Sequence, residues 1–417
     1  MPVDVVLGLQ WGDEGKGKIV DFLAPDYDVV ARFQGGPNAG HTLYVNGQKL
    51  VLHSIPSGVL HERPLNLIGN GVVLDPAQFH HEVMHLAALG IDLHRNVLVS
   101  ERAHLILPTH RLLDAASEQR KGTGRIGSTL RGISPAYTDK YARNGLRVGD
   151  IRFPDFQSRY ESLRDRHLKQ LNDADTAELN QQEAAWWQGI DTLRSFRLVA
   201  GEYFLNEVLS AGKSVLAEGA QGTMLDVDFG TYPYVTSSHT IAGGACTGLG
   251  IPPSAVRSVF GVIKAYCTRV GSGPFPTELD DTLGNRLREA GQEYGATTGR
   301  PRRCGWLDLV AVRYAALLSG VSQLMVTKAD VLSGFDPLSI CVAYEWNGRQ
   351  TTEFPFDPVR QQPQPVYHTI PGWHLGKNEK GNDCLYAFLD LIARHVGVPV
   401  SHVSTGPERN QLIPLPA

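Results

Sequence analysis

One segment of the sequence carries residues able to do chemistry together: Gly12-Asp13-Glu14-Gly15-Lys16-Gly17-Lys18. It follows the apolar run Val3 to Leu9 and opens an amphipathic stretch, Ile19 to Leu23. Backbone N–H groups at a helix start attract phosphate, and a lysine adds a point charge. It is not a strict Walker A loop, because Gly17 follows Lys16 where serine or threonine would hold Mg²⁺. A metal ion would therefore need another ligand, and Asp13 is the nearby carboxylate. Taken alone, the segment fits a phosphate cradle or a plain Gly-rich turn with surface lysines. A second loop, Gln34-Gly35-Gly36-Pro37-Asn38-Ala39-Gly40-His41-Thr42, offers backbone amides, an amide side chain and a histidine able to change charge near neutral pH.

Two further segments are ambiguous and one is a decoy. Arg300, Arg302 and Arg303 form the densest basic cluster. Guanidinium forks recognise carboxylates bidentately, but a solvated basic turn has the same composition. Lys328-Ala329-Asp330 follows the apolar run Leu324 to Thr327 and reads equally as a surface charge pair. His81-Glu82-Val83-Met84-His85 matches the zinc-protease pattern HExxH, on a helix that Asp75 and Pro76 would start. Phe79, Val83, Leu86 and Leu89 make the expected buried stripe, which turns both histidines toward solvent. Ala88 stands where the metzincin extension requires glycine, so zinc catalysis is not expected.

The elements that must position these loops are legible from periodicity. Glycine, at 44 copies in 417 residues, clusters just after short β-branched runs. Val3 to Leu9, Val29 to Phe33, Ser214 to Ala217, Val256 to Tyr266 and Leu324 to Thr327 each read as a buried strand feeding a loop. Helical segments such as Pro76 to Leu89 and Leu307 to Leu318 alternate with them. This predicts an α/β fold, one large domain over 1–417 around a central, mostly parallel sheet with Gly-rich, P-loop-like ligand loops. Ligands in such folds lie beyond the carboxyl ends of the strands. Phe156 to Arg197 is polar, carries Trp186 and Trp187, and predicts a helical excursion anchored by those rings.

Composition excludes other classes. Hydrophobic residues make up 42% and charged residues 20%, ordinary for a water-soluble globular chain. A formal net charge of −4 gives no general attraction to nucleic acid. No apolar run reaches the roughly 18 residues of a membrane span, and Met1 to Leu7 reads as a first strand and not as a signal peptide. Five widely spaced cysteines without a CxxC pair fit free thiols in a cytoplasmic protein.

The ordered motifs make the reading specific. GDEGKGK (12–18) and NAGHT (38–42) together resemble the adenylosuccinate synthetases, and the rest of the chain follows that family's pattern. Gly127-Ser128-Thr129, Arg131-Gly132-Ile133, Pro135-Ala136-Tyr137 and Asp139-Lys140 come first. Glu218-Gly219-Ala220-Gln221-Gly222, Asp226 and Tyr232 to Ser238 follow. Gly271 to Glu278, Thr297-Thr298-Gly299-Arg300, Gly305 to Asp308, Lys328-Ala329-Asp330 and Ser404-Thr405-Gly406-Pro407 complete the series.

The resemblance implies a ligase that joins L-aspartate to IMP with cleavage of GTP, by way of 6-phosphoryl-IMP. It implies Asp13 as the base that removes the N1 proton, His41 as general acid and stabiliser of the transferring phosphoryl group, and Lys16 as a neutraliser of phosphate charge. Mg²⁺ would be held by Asp13 and Gly40. GTP would be bound by Gly12, Glu14, Gly15, Lys16, Gly17, Lys18, Gly40, His41, Thr42 and Arg302. At its base end would stand Lys328, Ala329 and Asp330, with Ser404, Thr405 and Gly406 closing over it. The Asp330 carboxylate suits the paired N–H groups of a guanine edge. IMP would be held by Asp13, Asn38, Ala39, Thr129, Gln221, Thr236 and Arg300, with Arg143 reaching the partner subunit's IMP in a homodimer. L-Aspartate would be held by Thr297, Thr298, Gly299, Arg300 and Arg302. No nucleic acid or membrane partner is implied.

Departures from the family pattern are Ser128, Leu130, Ser134, His239, Pro301 and Ala329; none removes a named catalytic group. Two rivals lose by residues present here. A GTP-binding regulator would lack Asp13, His41 or the arginines, and a ligase accepting a guanine nucleotide would alter the base at Asp13.

Overall fold

The central sheet explains where every loop goes. The structure is a computed structural model that describes residues 2–45, 48–172, 178–295, 299–375 and 379–416. Its ten sheet strands are, in chain order, β1 (Val3–Gly8), β2 (Val29–Arg32), β3 (Leu65–Ile68), β4 (Val97–Ser100), β5 (Arg197–Val199), β6 (Val215–Glu218), β7 (Val256–Lys264), β8 (Gln323–Thr327), β9 (Val400–Ser404) and β10 (Leu412–Pro414). Across the sheet the order is β10-β9-β8-β7-β1-β6-β2-β3-β4-β5. Every neighbouring pair is parallel except β9–β10. β1 lies between β6, with Val3 opposite Val215, and β7, with Val6 opposite Phe260.

The strands are apolar throughout because both faces are covered. All six residues of β1 are buried. Val3, Val5 and Leu7 join the largest core cluster, whereas Val6 joins a separate one on the opposite face. Parallel strands place their carboxyl ends on one side. The loops after β1, β2, β6, β8 and β9 therefore gather at a single edge of the sheet, as expected for a ligand site.

The helices that matter for the site are α1 (Lys16–Leu23), α2 (Pro76–Ala88), α3 (Pro108–Arg120), α4 (Ile133–Ala142), α5 (Phe156–Leu168), α6 (Leu179–Ser195), α7 (Thr282–Gly291) and α8 (Leu309–Ser319). α5 and α6 are the expected helical excursion. Trp186 is fully buried there, donates its indole N–H to the Ile106 carbonyl at 2.7 Å, and stacks on Tyr160. Trp187 is half-buried beside it. Among the described residues no helix is long and apolar enough to cross a membrane. All five cysteines are free.

Several boundaries differ from the sequence reading, three of them with a packing consequence. The strand expected to run to Tyr266 ends at Lys264, and the chain turns into a short antiparallel pair, Cys267–Arg269 with Arg303–Gly305. The helix expected from Leu307 begins at Leu309, because Leu307 and Asp308 pair with Ile340 and Cys341 while Asp308 caps the helix through Ala311 N–H. Leu89 is exposed, not buried, since α2 stops at Ala88.

Helix α2 also settles the HExxH segment. Asp75 caps it by accepting from Ala77 and Gln78 N–H, with Pro76 in the first turn. His81 and His85 are exposed, whereas Glu82 is buried on the other face. Its carboxylate accepts the backbone N–H groups of His53, Ser54 and Ile55 at 2.9, 3.0 and 3.2 Å. Removing an acceptor that serves three buried donors leaves them unpaired, so Glu82→Ala is expected to destabilise the fold by about 2–4 kcal/mol. His81→Ala and His85→Ala should stay within about 0.5 kcal/mol of wild type. Urea denaturation of the three variants checks this, and equal losses would show that the histidines carry structure too.

Candidate active site

The gathered loops enclose a cleft of about 1030 Å³. Its floor is the turn after β1, organised by a carboxylate that points inward. Glu14 is completely buried, and its Oε1 accepts Gln10 N–H at 3.1 Å and Gly12 N–H at 2.9 Å. Its Oε2 pairs with Lys16 Nζ at 2.5 Å. Gly12, Asp13 and Gly15 all take positive φ to wrap the turn around it. A Cβ on Gly8 or Gly222 would lie 2.2 or 2.4 Å from that carboxylate, so both glycines are required by close approach. The first N–H groups of α1 remain free of helical partners, which suits phosphate.

The absence of a Walker serine at residue 17 has a packing cause. A Cβ on Gly17 would sit 2.9 Å from the Cβ of His41, so a larger residue would push the second loop away. That contact brings His41 onto the phosphate turn. His41 begins the hairpin His41–Val45/Gln48–Leu52. Its Nδ1 faces Glu218 Oε1 at 2.5 Å, at the end of β6. Glu218 is further held by Ser57 through N–H at 2.8 Å and Oγ at 2.6 Å. Burial pushes the Glu218 carboxyl up, but His41 and Arg32 pull it below its ordinary value, so it is ionised and Nδ1 carries the proton. His41 Nε2 is buried without a partner, on a residue that lines the cleft. Burial also lowers the imidazole pKa despite Glu218, which keeps the ring neutral in this state.

Asp13 lies on the cleft with its side chain a third exposed, and Arg302 Nε donates to its Oδ2 at 2.7 Å. Burial opposes ionisation, but Arg302 and Lys264 outweigh it and hold the carboxyl below its ordinary range. The other side of the Arg302 fork donates to Glu293 at 2.7 Å. Arg303 turns away, placing its guanidinium on Glu278 and on the Gly271 and Gly273 carbonyls. Arg300 is exposed, with Nη2 3.4 Å from the Ser128 carbonyl. The arginine run is thus not one cluster: its members serve separate partners, and Pro301 stands where the run divides.

Most of the expected site residues meet in this cleft. Gly12, Asp13, Gly15, Lys16, Gly17, Lys18, Asn38, Ala39, Gly40, His41, Thr42, Thr129, Gln221, Thr236, Arg302, Lys328, Asp330, Ser404 and Gly406 line it. Four of them offer buried polar atoms with no protein partner: His41 Nε2, Gln221 Nε2, Thr236 Oγ1 and Asp330 Oδ1. Burial raises the Asp330 carboxyl, with Lys328 and Lys18 opposing.

Others are placed differently. The Glu14 side chain faces the interior of its loop, not the cleft. Ala329 is fully buried, its carbonyl accepting from Trp373 Nε1 and its N–H donating to Ser404 O. Thr405 pairs its backbone with Gln411. Lys18 Nζ is spent on Ser404 Oγ at 2.7 Å and Gly406 O at 2.6 Å, and burial lowers its pKa to about 8. Lys328 Nζ binds Glu293 and the Gly291 carbonyl. Gly299 takes φ +64°. Arg143 ends α4 in the exposed left-handed conformation. Thr297 and Thr298 lie outside the described residues. Leu130, where glycine is common in the family pattern, also has positive φ (56°), a strained choice for a branched residue.

Two groups of imidazoles and carboxylates could in principle hold a metal elsewhere, but their hydrogen bonds argue otherwise. His110 and His167 each direct Nε2 to Asp139 at 2.8 Å, and Leu107 N–H donates to His110 Nδ1. That Nδ1 must be a lone pair, so Nε2 carries a proton and cannot ligate. In the second group, Asp226 already accepts from Asp228, Phe229 and Thr240 N–H.

Sequence reasoning did not assign Glu218 and Glu293 a part in the site. The signal for Glu218 was present, as a carboxylate closing the apolar run of β6. Glu218→Gln keeps the shape but loses the charge that fixes the His41 tautomer. It is expected to lower kcat by about 10²-fold with little change in KM for GTP, measured by steady-state kinetics. Unchanged kcat would remove Glu218 from the mechanism.

Residues 5–413 match the family described as adenylosuccinate synthetase. The adenylosuccinate synthetase of Parabacteroides distasonis is 54% identical over 99% of this chain and 99% of its own. That of Christiangramia forsetii is 53% identical over 99% and 100%. Among solved structures, the fully ligated adenylosuccinate synthetase from Plasmodium falciparum superposes with a TM-score of 0.90 at 37% identity, covering 100% of both chains. A cyanophage S-2L succinoaminodeoxyadenylate synthetase shares the fold at 20% identity and a TM-score of 0.64, covering 100% of this chain and 96% of its own.

Proposed function

The chain belongs to the adenylosuccinate synthetase family and joins L-aspartate to IMP with cleavage of GTP, and we propose that this cleft does so with Asp13 as base and His41 as the group on the transferring phosphoryl. The lactam oxygen at C6 of IMP is a poor leaving group. Removal of the N1 proton by Asp13 pushes electron density onto that oxygen, which takes the γ-phosphoryl group of GTP. The aspartate amine then attacks C6 and phosphate leaves. His41 Nε2 faces the phosphoryl group. An anion there favours the imidazolium, which then acts as acid and as charge stabiliser. Lys16 and the α1 N-terminus hold phosphate, with Glu14 fixing Lys16 in place.

One observation supports the assignment best. Trp11 Nε1 aside, the cleft's buried polar atoms without protein partners among the described residues are His41 Nε2, Gln221 Nε2, Thr236 Oγ1 and Asp330 Oδ1. These are the residues that the resemblance gives to the phosphoryl group, to IMP and to guanine. Unpaired buried polar groups cost stability unless a ligand satisfies them. Asp330 at one end takes the guanine edge, with Ser404 and Gly406 beside it. Arg302, with Gly299 and Arg300 nearby, takes the carboxylates of aspartate. Arg302 must then exchange Asp13 for substrate.

Asp13 presents a carboxylate and Gly40 a carbonyl along the same cleft, the oxygen donors a hard cation such as Mg²⁺ prefers. When bound, the ion screens the charge of the phosphates. The working unit is a homodimer. Arg143 is exposed at the end of α4 with no side-chain partner among the described residues, free to reach the partner subunit's IMP. One sheet drawing strands from Val3 to Pro414 supports a single catalytic unit, and free thiols suit the cytoplasm.

Purified protein should form adenylosuccinate from IMP, L-aspartate and GTP with Mg²⁺, followed by ultraviolet absorbance, with ATP and GMP as controls. Absence of turnover by folded protein would end the reading. Asp13→Ala should lower kcat at least about 10²-fold while GTP still binds. Asp330→Asn should reduce the preference for GTP over ATP by about 10-fold or more. Competition kinetics with the two nucleotides decides whether the carboxylate reads the base.

A further inference from the structure

Beneath the cleft, one carboxylate gathers four donors from three stretches of the chain. Glu293 is completely buried just after α7. Its Oε1 accepts from Lys264 Nζ at 3.0 Å, Lys328 Nζ at 2.7 Å and Tyr266 OH at 2.5 Å. Its Oε2 accepts from Arg302 Nη1 at 2.7 Å. Lys328 belongs to the turn that presents Asp330. Arg302 belongs to the arginine loop and also holds Asp13. The two ends of the cleft thus share a single buried anion.

The backbone around this anion is fixed while the side chains are divided. Arg302 N–H donates to the Glu293 carbonyl at 2.9 Å, and Arg288 Nε donates to the Arg302 carbonyl at 2.7 Å. The stem of the arginine loop is therefore tied down, while the Arg302 guanidinium is shared between two carboxylates. Lys328 has a left-handed backbone (φ 57°), so its conformation depends on being held. Two anions, Asp13 and Glu293, face three cations, Lys264, Lys328 and Arg302. The surplus positive charge is one that an incoming carboxylate would neutralise. When Arg302 turns to that carboxylate and releases Glu293 along with Asp13, Glu293 is left to the lysines and grips Lys328 more firmly.

We propose that Glu293 is a positioning residue that couples the two ends of the cleft, so that a dicarboxylate bound at Arg302 tightens the hold on a guanine nucleotide at Asp330. This rests on the assignment of Arg302 and Asp330 above. Coupling between sites is reciprocal, so it can be read from binding without turnover.

The test is calorimetric titration of the protein with GDP, with and without saturating succinate, a dicarboxylate that lacks the reacting amine. Wild-type affinity for GDP should rise at least about 5-fold with succinate. In Glu293→Gln the ratio should fall to about one, while GDP alone still binds. Circular dichroism verifies folding. If Glu293→Gln does not fold, Tyr266→Phe removes a donor from the oxygen that Lys328 uses, without creating a buried charge, and should change the ratio at least about 2-fold. A role confined to stability would lower Tm in either variant and leave the ratio untouched, which overturns the proposal. Wild-type protein that binds GDP and succinate independently also overturns it but leaves the site assignment standing. Wild-type protein that binds neither overturns both.

Discussion

The cleft depends on a carboxylate that points away from it. Glu14 folds back into its own turn, accepts two backbone N–H groups and pairs with Lys16, all out of water. A buried pair of this kind is costly to break, because removing one partner strands the other charge. Gly8 and Gly222 leave room for it, and the positive φ of Gly12, Asp13 and Gly15 follows from wrapping around it. The same turn aims Asp13 outward and opens α1 toward the phosphates. Thr327 Oγ1 donates to the Glu14 carbonyl at 2.6 Å and ties this floor to β8, whose next turn bears Asp330. The turn after β1, Asp13 and the Asp330 turn are thereby set on one rigid support.

Sheet topology supplies the rest of the convergence. β1 sits near the centre, and the parallel strands around it end on one side. The second loop is drawn in by Gly17, the only residue small enough for His41 to approach. β6 brings Glu218 behind that histidine from the far side. His41 is thus held by a carboxylate at the end of a strand other than the one its own loop follows.

Most charged groups of the cleft are paired with one another or with protein oxygens. Arg302 bridges Asp13 and Glu293, Lys16 lies on Glu14, and Lys18 and Lys328 are tied to protein oxygens. Such internal pairing lowers the cost of burying charge before substrate arrives. It also means that substrate groups bind by exchange. A carboxylate at Arg302 or a cation at Asp13 each replaces a protein partner with a ligand of the same charge.

How much of this could be read in advance follows from range along the chain. Strand, loop and helix alternation is local, so the parallel α/β fold, the Gly-rich turn after β1 and the helical excursion anchored by Trp186 were all legible. The motif series carried the family and most of the cleft lining. HExxH could be set aside because helical periodicity is also local, although only the structure shows Glu82 serving three backbone donors. Pairing is another matter. His41 meets Glu218 across 177 residues, Asp13 meets Arg302 across 289, and Lys18 meets Ser404 across 386. No spacing rule reaches that far. Residue types and their order therefore declared which chemistry is present. Only the packed sheet, by bringing distant strand ends within hydrogen-bonding distance, decided which charge answers which, and so sent Arg300, Arg302 and Arg303 to separate partners.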